Sequence, residues 1–387
     1  MVRPAAGAAT NCAARQVAIL IEIWCIIAEH SGFVGAWRLT GVCKAARQGA
    51  IQWLRTLPGL VVFGGNDGSD ALVEVLKLNL ATLGWEPMPS LNIGTYDHAC
   101  CSVRGALVVF GGTGEMEGDE FPITSRVGMI SAGAEVFTKL PPMPYNEISG
   151  AAAIAVDESG EFGSAAGQVL LIGGTSTEPT GIEDLEYYAD CLDTVHLVDL
   201  ATGVCVPQAA LLNSRDHFAA AQLPDGRVVC AGGYGDDADL KSLSSAEIFG
   251  PGTLDGAWAW TRLPAMIVSR VRCRGCVMSD GRFAVLGGET GDHDHRTLLP
   301  WCEALVIDDG GHWDPLPSMH AARADFACAV VAGCIIVAGG DYLSSAEVYD
   351  EALGRWLRLP CDLPNRYVTR RMSLTGMTMQ GIGSAFL

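Results

Sequence analysis

SRDHFAAAQLPDGRVVCAGG (Ser214–Gly233), followed by SAEIF (Ser245–Phe249) and WTRLPAM (Trp260–Met266), is the stretch whose reading decides the fold. It divides into four short apolar runs: one opened by Arg215, one ending in Gly-Gly, one carrying Glu247 and one carrying Trp260. The Gly-Gly run recurs through the 387 residues. It ends at Gly64–Gly65, Gly111–Gly112, Gly173–Gly174, Gly232–Gly233, Gly287–Gly288 and Gly339–Gly340, at intervals of 47, 62, 59, 55 and 52 residues. Self-similarity at such a period marks a repeat architecture, in which each unit needs its neighbours to bury its apolar faces.

The other landmarks recur in order. The third run appears as LVEVLKL (Leu72–Leu78) and SAEVYD (Ser345–Asp350), and the Trp as Trp85, Trp313 and Trp356. Units two and three depart from the pattern, with Phe137 and Cys205 at the Trp place and His196 where the third unit would carry Glu. The order of opening Arg, Gly-Gly, Glu-aromatic-Asp and Trp resembles the kelch repeat. That resemblance implies an all-β, six-bladed kelch-type propeller over residues 60–387. Four-stranded blades packed radially leave only short outer edges. Paired glycines permit close backbone approach, and the Trp supplies apolar contact between blades. The first Gly-Gly run, Leu60–Phe63, has no opening strand before it. RRMSLTGMTM (Arg370–Met379) fits that pattern with Arg371 at the Arg place, so the tail is predicted to complete blade 1 and close the ring.

Composition agrees. The chain has 47 Gly and 18 Pro, with only 18% charged residues, which suits many short strands and tight turns. A net charge of −19 argues against nucleic acid and anionic membrane as partners, since both are bound through Lys and Arg. The charge is uneven: residues 1–58 hold six basic and two acidic side chains, leaving −23 on the remainder. The cysteines sit largely in apolar runs and read as small buried hydrophobes of a reduced, intracellular chain. The apolar run Val17–Ala28 is interrupted by Glu22 and falls short of a membrane span, so it reads as a helix.

Residues 12–56 read as a small helical domain. Val17, Leu20, Ile21, Trp24 and Ile27 have helical spacing, Ser31–Gly32 is a stop, and a second pattern runs over Phe33–Arg55. LTGVCKAAR (Leu39–Arg47) resembles the core of an F-box, with ARQVAILIEIW in place of the usual Leu-Pro opening. The resemblance implies docking on a Skp-type linker of a cullin–RING complex through Leu20, Ile23, Ile27, Leu39, Val42 and Cys43. The opposing reading is a helical cap packed on the propeller.

Antiparallel connectivity puts the Arg-bearing loops and the loops after Gly-Gly on one rim, where recognition on a rigid frame is expected. Arg215, Arg270, Arg323 and Arg371 are therefore candidate contacts for a protein substrate of unknown identity, as kelch adaptors pair such arginines with carboxylates. Tyr96, Asn146, Asn66, Thr113, Tyr234 and Asp341 are their neighbours. The alternative is internal pairing with acidic loop residues such as Asp216 or Asp325. Signals with a chemical look are discounted. His293–His295 is a short loop cluster, Cys273 and Cys276 point to opposite faces of a strand, and Glu183, Asp184 and Glu186 form a solvated acidic loop. The reading is thus a non-enzymatic adaptor without metal or cofactor, in the cytoplasm or nucleus. A kelch scaffold with no ligase link is the alternative, and a kelch-fold enzyme a more distant one.

Overall fold

The structure, a computed structural model, describes residues 6–67, 70–114, 123–131, 133–143, 148–156, 167–176, 190–236, 241–252, 256–291, 295–307, 310–364 and 375–379. Six four-stranded antiparallel sheets form the blades of a closed propeller. In blades 2–6 the strands follow chain order outward from the axis. Blade 4 has Ala219–Gln222 innermost, then Val228–Ala231, Ala246–Pro251 and Trp258–Leu263. Blade 1 differs as the sequence predicts. Its innermost strand is Thr375–Met379, paired in register with Gly59–Phe63 from Gly59↔Met379 to Phe63↔Thr375. The two ends of the propeller thus meet in one sheet, which leaves no open seam.

The second strands show why the Gly-Gly run is invariant through the repeat. Each is buried on both faces, so its residues are apolar, save the half-buried Gln168 that opens the strand of blade 3. Gly232 and Gly233 follow with φ of 73° and 96°, in the left-handed region that glycine adopts without strain. A Cβ on Gly232 would lie 2.4 Å from the carbonyl oxygen of Arg270 in the next blade. The N–H of Gly233 donates to that same carbonyl at 2.9 Å. The glycines therefore let one blade's backbone close on its neighbour.

The outer strands supply a second seam. The indole N–H groups of Trp260, Trp313 and Trp356 donate to Ala209 O, Pro264 O and Pro317 O of the preceding blade's exit loop, at 2.8–2.9 Å. Trp85 does the same to Cys361 O at 3.2 Å and so stitches blade 1 to blade 6. Phe137 and Cys205, at the Trp place in blades 2 and 3, have no such donor.

Two helices precede the propeller, α1 (Ala6–Leu39) and α2 (Lys44–Leu54). The predicted stop at Gly32 is a kink with φ 67°, after which α1 continues to Leu39. The second helical pattern starts later than predicted because Cys43 caps α2, its Sγ accepting the Ala46 N–H. Gly49 permits the close crossing of α1 and α2: a Cβ there would lie 2.6 Å from Ile21 O. Phe33, Val34, Ala36, Ala50, Trp53 and Leu54 bury themselves in one core with Leu60, Leu78, Val331 and Ile336. The helices thus cap the seam between blades 6 and 1. Gln16–Leu39 has a mean hydropathy of 1.7 and is long and apolar enough to cross a membrane. The shorter run read from sequence missed this because it stopped at Ala28, before the buried Phe33–Leu39 turns.

Candidate functional site

Three of the arginines expected at the rim are instead the largest fully buried side chains among the described residues. Arg215, Arg270 and Arg323 are 0%, 1% and 0% exposed. Arg215 donates from Nη2 to Glu247 Oε1 at 2.6 Å and from Nη1 to Gly232 O at 2.6 Å. Arg270 meets Glu303 at 2.5 Å and Gly287 O at 2.9 Å. Arg323 meets Glu347 at 2.8 Å and Gly339 O at 2.5 Å. Each Glu also accepts a backbone N–H from the loop entering its blade: Leu212, Ile267 and His320, at 2.6–2.8 Å. The expectation of ligand-facing arginines is corrected here, and so is the identity of the internal partner. The partner is the strand Glu, in place of Asp216 or Asp325. The physical reason is register. The arginine precedes the innermost strand and turns inward across its own blade, where a carboxylate and a glycine carbonyl satisfy its donors. Burial raises the Glu347 carboxyl, but Arg323 and the His320 N–H outweigh it and hold it below the ordinary value of 4.5. Arg371 and Asn146 lie outside the described residues.

Two residues beyond each arginine the chain builds a ring around the axis. Asp97, Gly150, His217, Arg272 and Asp325 occupy the same place in blades 2–6, all with φ between 47° and 63°. Four N–H groups of this ring donate to the preceding blade: Gly150 to Asp97 O, His217 to Gly150 O, Arg272 to His217 O and Asp325 to Arg272 O, at 2.7–3.1 Å. The ring carries both signs of charge: Asp97 and Asp325 are acidic, His217 and Arg272 are basic, and Gly150 contributes no side chain. His217 lies 3.2 Å from Asp97 and 3.3 Å from Asp216. Arg272 lies 3.4 Å from Asp325 and 3.6 Å from Glu289, and Glu289 also meets Arg296 at 3.0 Å. Burial disfavours the His217 imidazolium, but Asp97 and Asp216 overcome it and push its pKa up to about 10. Burial pushes Asp325 up to about 6 against the pull of Arg272. Sequence reasoning missed this ring. Its signal was the constant offset of two from the place of the opening Arg, obscured because the five residues are of four types and blades 2 and 3 carry Thr95 and Ile148 in place of the Arg.

The remaining rim candidates share a second register. Asn66, Thr113, Tyr234 and Asp341 each follow a Gly-Gly pair. Asn66, Thr113 and Tyr234 are buried, and Asp341 and Tyr96 are half-buried. Thr113 bridges to Tyr96 and Tyr234 to Asp216 within their blades. Tyr234 packs its ring under Arg296 (5.5 Å) and directs its hydroxyl to Glu289 at 3.4 Å. These side chains line the mouth of the axis as part of its hydrogen-bonded wall. Among the described residues no three His, Cys, Asp or Glu are placed to share a metal. Cys273 and Cys276 do face different cores, one on each side of blade 5. His293, Glu183, Asp184 and Glu186 lie outside the described residues.

The opposite face carries a different surface. The turn Ala332–Gly333 of blade 6, at the far end of the strands from the paired glycines, sits beneath the kink of α1. N-terminal to that kink, Val17, Ile19, Leu20, Ile23, Ile26 and Ile27 are 37–55% exposed. At 100° per residue, Ile19, Leu20, Ile23, Ile26 and Ile27 fall on one stripe, while Trp24, Cys25 and Ala28 turn toward α2 and the propeller. Of the residues assigned to linker contact, Leu20, Ile23 and Ile27 lie on this stripe and Val42 is 62% exposed. Leu39 packs against the shared core and Cys43 serves as the α2 cap. Ile19 and Ile26 complete the stripe and were not singled out from sequence.

No family model matches the chain. It is 34% identical over 139 residues to F-box/kelch-repeat protein SKIP30 of Arabidopsis thaliana, covering 32% of this chain and 37% of that protein. It is 30% identical over 147 residues to Kelch domain-containing protein 8B of Homo sapiens, covering 33% of this chain and 41% of the relative. The chain therefore spans about two fifths of the length of these curated relatives. Among solved structures, that of YjhT superposes with a TM-score of 0.57 at 12% identity, over 75% of this chain and 89% of that one. That likeness concerns the fold alone, a six-bladed β-propeller.

Proposed function

We propose that the chain is a protein-binding adaptor of a cullin–RING (SCF-type) ubiquitin ligase. In this reading α1 engages a Skp-type linker and the propeller rim holds the protein to be modified, in the cytoplasm or nucleus, without catalysis by the chain itself. The observation that carries it is the unpartnered apolar stripe on α1, anchored rigidly to the propeller on the face opposite the rim. Large exposed apolar patches of this kind mark interaction sites, and a helix presenting such a face suits docking into a partner's groove. The resemblance of Leu39–Arg47 to an F-box core and the relatives named F-box/kelch-repeat support the choice of partner. With Arg215, Arg270 and Arg323 engaged internally, substrate contact falls to the axial mouth around Arg272, Arg296 and Tyr234 and to the segments that follow the paired glycines in sequence.

The kelch scaffold without a ligase link is favoured by one observation. The helices share a continuous core with blades 6 and 1, as a cap would. Affinity capture separates the two. The intact chain is expected to retain linker and cullin subunits, and Leu20→Asp with Ile23→Asp to lose them while keeping the same thermal melt. Capture of neither subunit by the intact chain removes the ligase reading and leaves the scaffold.

A further inference from the structure

Blade 2 lacks both halves of the buried ion pair. The place of Arg215 is taken by Thr95, and that of Glu247 by Gly128. The register fixes the equivalence: Glu247 faces Cys230 and Gly128 faces Val109, each of those two residues before the paired glycines. Thr95 keeps one of the arginine's bonds, its hydroxyl donating to Gly111 O at 3.2 Å as Arg215 donates to Gly232 O. The rest of the arginine and the whole carboxylate have no counterpart. A cavity of about 260 Å³ occupies that place, lined by Thr95, Gly111 and Gly128. In blade 3 the same two places hold Ile148 and His196, which are bulkier. The cavity thus arises where a repeated pair is replaced by two small residues.

Its lining is asymmetric. Leu91, Val109, Val127 and Phe137 form an apolar wall, while Arg126 and Lys139 are exposed on the described surface at its edge. Arg126 stands where Ser245 and Ser345 stand in blades 4 and 6, next to the missing pair. Asn92 lines the cavity at the place of Leu212, whose backbone N–H donates to the Glu247 carboxylate. An acceptor is therefore provided for in blades 4–6 by the protein's own Glu, and among the described residues of blade 2 no Glu takes that place beside the cations and the apolar wall.

We propose that this cavity is a binding site for a small carboxylic acid with an apolar body. Its carboxylate takes the place held by Glu in blades 4–6, close to Asn92 N–H, Arg126 and Lys139, and its hydrocarbon or aromatic part lies against Phe137 and Val127. A charged acceptor meeting fixed donors at one end of a mostly apolar pocket is the usual design of a small-molecule site. The proposal does not rest on the ligase reading, because no residue of α1 or α2 lines the cavity and its test involves no linker subunit.

The experiment uses the intact chain and three probes, 3-phenylpropionate, its amide and 3-phenylpropylamine, followed by ligand-observed NMR and calorimetric titration. The acid is expected to bind, with the amide and the amine weaker by about tenfold or more. Thr95→Arg with Gly128→Glu, which rebuilds the pair of blades 4–6, is expected to abolish binding. If circular dichroism shows that this double variant does not fold, Gly128→Leu replaces it. A Cβ at Gly128 meets nothing nearer than Phe137 Cδ1 at 3.8 Å, so the backbone accepts a side chain that fills the cavity. No binding of the acid, equal binding of acid and amide, or undiminished binding to the folded filled variant would each overturn the proposal.

Discussion

Blades 4–6 and blades 2–3 are built on one plan and held in two ways. In blades 4–6 a buried Arg–Glu pair crosses each blade and an indole N–H ties each outer strand to its predecessor. In blades 2–3 both devices are missing: Thr95 with Gly128 and Ile148 with His196 stand for the pair, and Phe137 and Cys205 for the Trp. What both halves share is the backbone: the Gly-Gly approach to the next blade and the ring of N–H···O bonds about the axis. The comparison teaches that the main chain defines the propeller, while side-chain pairs reinforce some blades and can be dropped from others. It also separates structure from recognition. An arginine repeated at one register looks like a ligand contact until its donors are counted.

The largest expected effect comes from the seam that neither half contains. Truncation before Arg370 removes the innermost strand of blade 1 and exposes both edges of the break. It is expected to abolish the cooperative melt of the whole propeller, read by calorimetry, and a surviving transition at the original temperature would show that the ring needs no closure. Next comes the backbone approach common to both halves. Gly232→Ala places a Cβ 2.4 Å from Arg270 O at φ 73°, and is expected to cost more than about 2 kcal/mol in chemical denaturation. Gly226→Ala, where φ is also positive but nothing lies within 4 Å, should cost only the strain of about 1 kcal/mol.

A smaller effect sharpens the difference between the halves. Trp313→Phe removes the indole donor to Pro264 O and is expected to lower stability by about 1 kcal/mol. Phe137→Leu in blade 2 has no such bond to lose, so its deficit should follow apolar packing alone. The smallest effects are in pH. The His217 pKa is raised to about 10, so its contribution is complete below the ordinary value of 6.5 and fades as pH rises through 10. Because His217 spans from blade 4 to Asp97 of blade 2, hydrogen exchange in blades 2 and 3 should quicken first at alkaline pH, and His217→Ala should remove that dependence. The Glu347 carboxyl is depressed, so its contribution holds above 4.5 and is lost as pH falls below it. The support that Glu347 gives blade 6 should therefore weaken in acid, read as faster hydrogen exchange in that blade.

The propeller, its closure and the seams were legible because they rest on local, repeated signals: Gly-Gly at intervals of 47 to 62 residues, Trp after the third strand of blades 1 and 4–6, and a tail that repeats an opening strand. The arginine sites were misread because sequence places Arg215 on a loop near the rim without showing which way it turns. The deciding fact is that Glu247, 32 residues later, comes to lie beside it in the folded blade. The axial ring escaped notice since its members share backbone geometry while mixing Asp, Gly, His and Arg. The α1 stripe was half seen. Leu20, Ile23 and Ile27 were chosen by resemblance, whereas Ile19 and Ile26 join them only once the buried side of the helix is known. The blade 2 cavity was invisible, because a missing Glu at Gly128 has meaning only beside the register of the other blades.

The most direct measurement is the thermal unfolding midpoint of Arg323→Ala beside that of the intact chain. If the arginines are internal supports, removing one strands the Glu347 carboxylate and should cost about 3–5 kcal/mol, a drop of several degrees. A midpoint unchanged in Arg323→Ala, together with loss of a captured protein partner, would contradict the account and return this arginine to the recognition surface.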